Sequence, residues 1–277
     1  MSKSFAIRGT IVVAVATKEG LLIAADRRTS DPVYGILDNK TKIIRLLRTA
    51  AFSSTGTSRF HFRDKASGED QGNAFDADEI VANYFYNINF ENTDDFWRGL
   101  TRTLRNDFED FLDHMAYDNW PESGDIAHHN GLFQLVFFYV DKNSVISTDI
   151  EFGYLKGKPP TIRFRKGHYP PESFKRVDPY VAGNIDVFFQ VRDGTDERFD
   201  EMRNDQSVMR LWKGRPDVAT VSVEDAEAFC QKLIKVTSEC DSFVGQTYDA
   251  AILNRKDGFR WLSQNKSVNE GGPQERE

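Results

Sequence analysis

Residues 9–28 constrain the chain more than any other stretch. They read Gly-Thr-Ile-Val-Val-Ala-Val-Ala-Thr-Lys-Glu-Gly-Leu-Leu-Ile-Ala-Ala-Asp-Arg-Arg. β-Branched residues dominate the first apolar run, Lys18-Glu19-Gly20 supplies a turn, and a second apolar run follows. That order predicts two short strands joined as a hairpin. Thr10 opens the hairpin and Asp26 closes it. The two ends of an antiparallel pair lie at one edge of the sheet, so Thr10 and Asp26 are expected to be neighbours. Lys42 follows Asp26 at a spacing of 42 − 26 = 16 residues and heads another apolar run, Ile43-Ile44-Arg45-Leu46.

These residues resemble the proteasome β-subunit family of N-terminal-nucleophile hydrolases, with HslV and other self-standing bacterial homologues as the nearest type. Thr10 stands where that family has its catalytic N-terminal threonine, and Gly9 precedes the point of cleavage. Ala24-Ala25-Asp26-Arg27-Arg28 is similar to the family's Ala-Ala-Asp-x-Arg signature, and Lys42-Ile43 falls at its catalytic lysine. Ser53-Ser54-Thr55-Gly56 lies where a glycine N–H binds the oxyanion, and Thr10 to Gly56 aligns without insertions. Downstream, Asp241-Ser242-Phe243-Val244-Gly245 resembles an Asp-x-x-Ser-Gly segment with Val244 in place of the serine. Val181-Ala182-Gly183-Asn184 resembles a Gly-Ser segment with Asn184 in place of the serine.

The resemblance implies an α+β fold, a four-layer αββα sandwich. It implies a threonine peptidase with Thr10, Asp26, Lys42, Gly56, Asp241 and Asn184 at the catalytic site, and Thr29, Ser30, Lys40 and Ser54 shaping the substrate pocket. It implies stacked homo-oligomeric rings, peptide or unfolded-protein substrates, an ATP-dependent unfoldase as candidate partner, and no metal or organic cofactor. The length and the Lys65–Asn130 region fit neither a minimal HslV subunit nor a standard β-subunit well.

The residue types suit this chemistry. A threonine hydroxyl needs a base to take its proton. At a chain terminus the α-amine, with a reference pKa of about 7.7–8.0, can serve. A cation such as Lys42 disfavours the ammonium form, and Asp26 is placed as the counter-charge. Asn184 can donate and accept hydrogen bonds, whereas Val244 cannot through its side chain. Thr10 is encoded behind Gly9 with an amide nitrogen, so the Gly9–Thr10 bond must be cut before the site can work. Taken singly, each residue also has an ordinary structural reading: a strand threonine, a solvated Asp-Arg-Arg cluster, a strand-end lysine, a turn glycine. Two rival functions stay open, a non-catalytic ring or scaffold subunit and a small-molecule amidase of the same mechanistic class.

The rest of the chain narrows the setting. A formal net charge of −7 leaves no global basic footprint for nucleic acid. Two cysteines, Cys230 and Cys240, are too few for a disulfide scaffold and fit a reducing, cytoplasmic compartment. No apolar run is long enough for a membrane helix. Residues 1–9 are read as a removable propeptide, 10–262 as a single domain, and 263–277 as a polar, disordered tail. Asp76 is a candidate N-cap for a helix over Ala77–Phe85. Phe96, Leu100, Leu104, Phe108, Phe111, Leu112 and Met115 form one apolar stripe of a helix over Asn92–Met115. A helix is expected directly after Gly56, capped by Thr57 or Ser58, with an exposed loop over Lys65–Asp76. Leu132–Val140 reads as a strand buried on both faces. Further strands are expected at Val145–Ile150, Thr161–Arg165, Tyr180–Gly183, Tyr248–Leu253 and Phe259–Leu262, with a helix starting at Ser222. His128-His129 with Asp125 lacks the spacing of a metal site.

Overall fold

A computed structural model of the chain describes residues 10–31, 35–56, 58–63, 70–91, 93–114, 131–141, 144–154, 158–169, 175–194 and 196–269. The expected propeptide, Met1 to Gly9, and the Asp125, His128 and His129 group lie outside the described residues. The elements run β1 (Ile11–Thr17), β2 (Gly20–Asp26), β3 (Thr29–Asp31), β4 (Gly35–Leu37), β5 (Ile43–Leu47), β6 (Ala50–Gly56), β7 (Arg59–Arg63), β8 (Asp70–Asp76), α1 (Ala77–Asn87) and α2 (Asp94–His114). They continue with β9 (Gly131–Asp141), β10 (Ser144–Gly153), β11 (Thr161–Tyr169), β12 (Tyr180–Gly183), α3 (Ile185–Asp193), α4 (Asp200–Asn204), α5 (Gln206–Trp212), α6 (Val223–Cys240), β13 (Thr247–Asn254) and β14 (Gly258–Ser267).

Two five-stranded antiparallel sheets carry the fold, one in the order β12-β1-β2-β13-β14 and the other β11-β10-β9-β6-β5. Strand alternation explains how they pack. On β1, Val12, Ala14 and Ala16 point into a layer shared with Ala51, Val136 and Phe138 of the second sheet. Ile11, Val13 and Val15 point the other way, onto Phe229, Leu233 and Ile234 of α6 and residues of α3 and α5. On the second sheet, Phe52, Phe133, Leu135 and Phe137 face the stripe Phe96, Leu100, Leu104 and Phe108 of α2. The sheets therefore stack face to face with helices against their outer faces. This is why β1 and β9 are apolar nearly throughout: neither face meets water.

The hairpin expected from residues 9–28 is present, with Val12 opposite Ala25 and Thr17 opposite Gly20. The α2 stripe is present too from Phe96 to Leu112, with Asn92 and Met115 outside the described residues, and Thr93 Oγ1 accepts from the Phe96 N–H at 3.3 Å as its cap. The segment after Gly56 differs from expectation. No helix begins there; β7 and β8 pair as an antiparallel hairpin instead. Arg59-Phe60-His61-Phe62-Arg63 alternates polar and apolar residues, the period of a strand. The helix starts only at Ala77, where Asp76 accepts from the Asp78 and Glu79 N–H groups at 2.9 and 3.2 Å. The last strand also runs past Leu262 to Ser267, with Val268 buried behind it.

Asp205, the N-cap of α5, links that helix to α6 through Lys232. Burial pushes its carboxyl up, but hydrogen bonds from Lys232, Ser207 and the Val208 N–H outweigh this and hold it at about 2. The folded value lies below the unfolded one, so the stabilisation is complete above pH about 4 and is lost as pH falls towards 2. Because the group is largely exposed, solvent screening reduces the contribution to about 1 kcal/mol. Asp205→Ala is therefore expected to lower stability at pH 7 by about that amount and to make less and less difference as pH falls through 2, as read by urea unfolding.

Candidate active site

The chain end of β1 meets the end of β2 at one corner of the first sheet. Asp26, fully buried, is the hub. Its Oδ1 accepts from the Ile11 N–H at 3.0 Å and from Lys42 Nζ at 2.9 Å. Its Oδ2 accepts from the Arg28 N–H at 3.0 Å and the Gly245 N–H at 2.9 Å. Four donors satisfy both oxygens of the carboxylate and fix its position, which lets it stay buried. Lys42 enters from the head of β5 and donates to Thr10 Oγ1 at 2.7 Å. Burial pushes Lys42 below the ordinary lysine value, against the opposing attraction of Asp26. Thr10, Lys42 and Asp26 thus form one buried chain of hydrogen bonds.

The other side of Thr10 is held through its backbone. Its carbonyl oxygen accepts from the Asn184 N–H at 2.9 Å. The Asn184 side chain donates to Asp241 Oδ2 at 2.6 Å, and Asp241 caps the C-terminus of α6. Val244 occupies the position where the sequence pattern calls for serine. Its side chain is fully buried in the apolar layer between the first sheet and its helices. The segment 241–245 serves the corner through the Gly245 N–H instead.

Gly56 ends β6 with φ at 81°, in the left-handed region. Thr55, just before it, faces the corner: a Cβ placed on Gly183 would lie 3.3 Å from the Thr55 Cβ. The Thr55 hydroxyl is buried without a hydrogen-bond partner, a feature the motif did not single out. Gly183 itself has φ at 87°, and an added Cβ would sit 1.9 Å from the Thr10 carbonyl oxygen. Gly183→Ala is therefore expected to push Thr10 off Asn184 and to cost about 1–3 kcal/mol in backbone strain. Thermal unfolding should show the loss, and any activity of Thr10 should fall with it.

The expected pocket residues are placed less closely. Thr29 and Ser30 lie on β3, opposite Leu37 and Ile36 of β4. Ser54 is buried on β6, by alternation on the face of Phe52 rather than that of Thr55. Lys40 donates to the buried Asp78 of α1 at 2.6 Å. Both charges act on Lys42, Lys40 lowering its pKa and Asp78 raising it. Two arginines also frame the corner. Arg27 Nη1 donates to both oxygens of the buried Asp249 at 2.7 and 2.8 Å, and its Nη2 donates to the Asn39 carbonyl. Arg28 forks onto Asp38 and donates to the Ser242 carbonyl. Together they fasten the 38–42 segment and the 241–245 turn to the end of β2. The Asp-Arg-Arg sequence was the available signal; the partner carboxylates, 10 and 222 residues away, had none. A cleft of about 580 Å³ opens at the far end of the sheets, around Lys18 and Gly20. It lies a strand length from Thr10.

The architecture is a proteasome-like fold. No family model and no curated protein matches the chain. Among solved structures it is similar to a Gly-1 mutant of Anbu from Hyphomicrobium sp. strain MC1, at 15% identity over 95% of this chain and 88% of that one, with a TM-score of 0.51. It is also similar to Anbu, described as an ancestral β-subunit, from Yersinia bercovieri, at 13% identity over 92% and 88% of the two chains, with a TM-score of 0.50. At such identities the likeness shows the fold alone. It corrects the family expected from the motif. The similar structures are Anbu proteins, distinct from the HslV and standard β-subunit type that the motif suggests. The motif from Thr10 to Gly56 describes one corner, whereas the structural likeness spans nearly the whole chain. No helix among the described residues is long and apolar enough to cross a membrane.

Proposed function

We propose that the chain is a threonine-type N-terminal-nucleophile peptidase of the four-layer αββα class, with Thr10 as nucleophile once the Gly9–Thr10 bond has been cut. The observation that carries this reading is the buried Lys42, bridging Thr10 Oγ1 and Asp26 at 2.7 and 2.9 Å. A scaffold has little use for such a group, because a buried ion pair is commonly replaced by apolar residues at no loss of stability. In the uncut chain Thr10 has no amine, and Lys42, with its lowered pKa, is the base beside the hydroxyl. After cutting, the Thr10 α-amine takes the proton. Oγ attacks the substrate carbonyl carbon, and the Gly56 N–H donates to the oxyanion, a contact worth about 3–4 kcal/mol. The C–N bond breaks, its nitrogen leaves with the proton, and water hydrolyses the ester on Thr10. Asn184 and Asp241 hold the Thr10 backbone in place. Thr29, Ser30, Lys40 and Ser54 are proposed to border the substrate.

The likeness to an ancestral β-subunit supports assembly of like subunits as a ring. Peptides or unfolded chains would then be cut in an internal chamber in the cytoplasm, with an ATP-dependent unfoldase as the delivering partner. A peptide bearing a C-terminal vinyl sulfone tests the site. The expected adduct is on Thr10 of a chain lacking residues 1–9. An adduct on any other residue, or none, overturns the reading. Cleavage of small amides but not of peptides would leave the mechanism and replace the substrate class.

A further inference from the structure

The second sheet ends on β11. That strand pairs with β10 along one side, and no strand among the described residues lies along the other. Such an edge offers a row of backbone N–H and C=O groups to a further strand. Its nine residues include Arg163, Arg165 and Lys166 and no carboxylate. Alongside runs an open cleft of about 720 Å³, lined by α2 and β11. Its apolar floor is Ile162 and Phe164 of β11 with Trp97 of α2. Phe164 is 42% exposed, and its ring centroid lies 5.9 Å from that of Trp97. The Trp97 indole N–H is buried without an acceptor. Arg98, Arg102 and Arg105 form the rim, at steps of four and three residues that keep them on one side of the helix. Asp95 approaches Arg98 only to 3.8 Å, and Arg102 and Arg105 make no ion pair among the described residues. Asp94 also lines the cleft, one carboxylate against three guanidinium groups.

We propose that this cleft docks an extended, acidic protein segment, which joins the second sheet as a strand against β11. Backbone pairing with the edge supplies affinity, and alternate side chains entering the cleft supply selectivity. An apolar side chain covers Phe164. Carboxylates two residues apart share one face of an added strand, so both can reach the arginine rim. The chain as a whole carries a net charge of −7, so the basic patch is a local feature. A second copy of β11 is a poor occupant, because it would set cations against cations. Single-stranded nucleic acid would find the charge, but Phe164 is the one exposed ring of the floor on which a base could stack. A sugar-phosphate chain also cannot pair with a strand edge. The α2 side of the second sheet is the face turned away from β1 and the Thr10 corner. A protein held there is held by a segment other than the one presented for cutting. The inference goes beyond the peptidase reading and does not depend on it.

A fluorescein-labelled peptide, Thr-Phe-Thr-Glu-Thr-Glu-Thr, tests it by fluorescence anisotropy. The wild type and Thr10→Ala are expected to bind it equally. Arg102→Glu with Arg105→Glu is expected to weaken binding about tenfold, with unchanged circular dichroism. The same variant is expected to bind the peptide with lysine in place of glutamate better than the wild type does. Two further peptides carry N-methyl groups at alternate backbone amides, one in each register. One is expected to lose binding and the other to keep it, because only one side of an added strand faces β11. The proposal is overturned if the acidic peptide does not bind, if Thr10→Ala abolishes binding, or if the arginine variant keeps the wild-type affinity. It is equally overturned if both N-methylated peptides bind like the parent, or if an oligothymidylate binds as tightly.

Discussion

Lys42→Arg is expected to lower leader removal by a factor of about 100 to 10,000, the range for losing a general acid–base group, and peptide turnover falls with it because the Thr10 amine is not freed. Arginine would keep the positive charge beside Asp26, but it cannot give up its proton in a protein. The variant therefore separates charge from proton transfer. If Lys42 only stabilises the neutral Thr10 amine, arginine should restore most of the rate. If Lys42 moves the proton in the uncut chain, leader removal should stop while the fold survives. The pH dependence adds a second check. Burial lowers the Lys42 pKa and Asp26 raises it. The rate of leader removal should climb with pH through a value below that of free lysine. Asp26→Asn removes the raising partner, so the midpoint of that limb should move to lower pH. Asp26→Ala and Lys42→Ala should also fail to multiply, since each removes the same hydrogen-bonded chain. An arginine variant that sheds its leader at the wild-type rate would remove Lys42 from the role of base.

What was legible in the sequence was local. The pairing of Thr10 with Asp26 follows from a hairpin whose turn and strands are written in consecutive residues, and the register of Val12 with Ala25 delivers it. The α2 stripe is legible for the same reason, because five core residues repeat at helical spacing on one element. The β7–β8 hairpin was missed because the motif, once matched up to Gly56, carried with it the expectation of a helix. The alternation in residues 59–63 argued otherwise. The Arg27–Asp249 and Arg28–Asp38 ion pairs were illegible, since neither pair has a periodic pattern to mark it. Val244 shows how a motif can mislead. Its position reads as a lost hydrogen bond, yet in the fold that side chain is core, and the backbone N–H one residue later reaches Asp26. The assignment to a branch of the N-terminal-nucleophile hydrolases failed for a related reason: the chemistry of one corner does not report how the remaining layers are built.

Thr10→Ala should keep residues 1–9 attached and show no peptide hydrolysis, while Thr10→Ser should shed the leader, if more slowly. The hydroxyl is the one group both steps need. In the uncut chain Oγ attacks the carbonyl carbon of Gly9, the Gly9–Thr10 C–N bond breaks, and the new ester is hydrolysed by water to leave a free amine on Thr10. Gly9 has no side chain to obstruct the tight turn this attack requires. Lys42 Nζ already touches Oγ1 at 2.7 Å, so the proton has somewhere to go before any amine exists. The corner should tolerate the change. Thr10→Ala deletes one hydroxyl and one methyl, and the contacts of Asp26 with Ile11, Arg28 and Gly245 remain. A stability loss of about 1 kcal/mol is expected, that of an ordinary point mutant. Lys42 would lose a partner and keep Asp26, so the variant should fold and reach the wild-type assembly mass. Intact mass spectrometry of the wild type and the two variants reads the result. An alanine variant that loses residues 1–9 would assign the cut to another protease. A wild type that hydrolyses peptides with its leader in place would end the case for Thr10 as an N-terminal nucleophile.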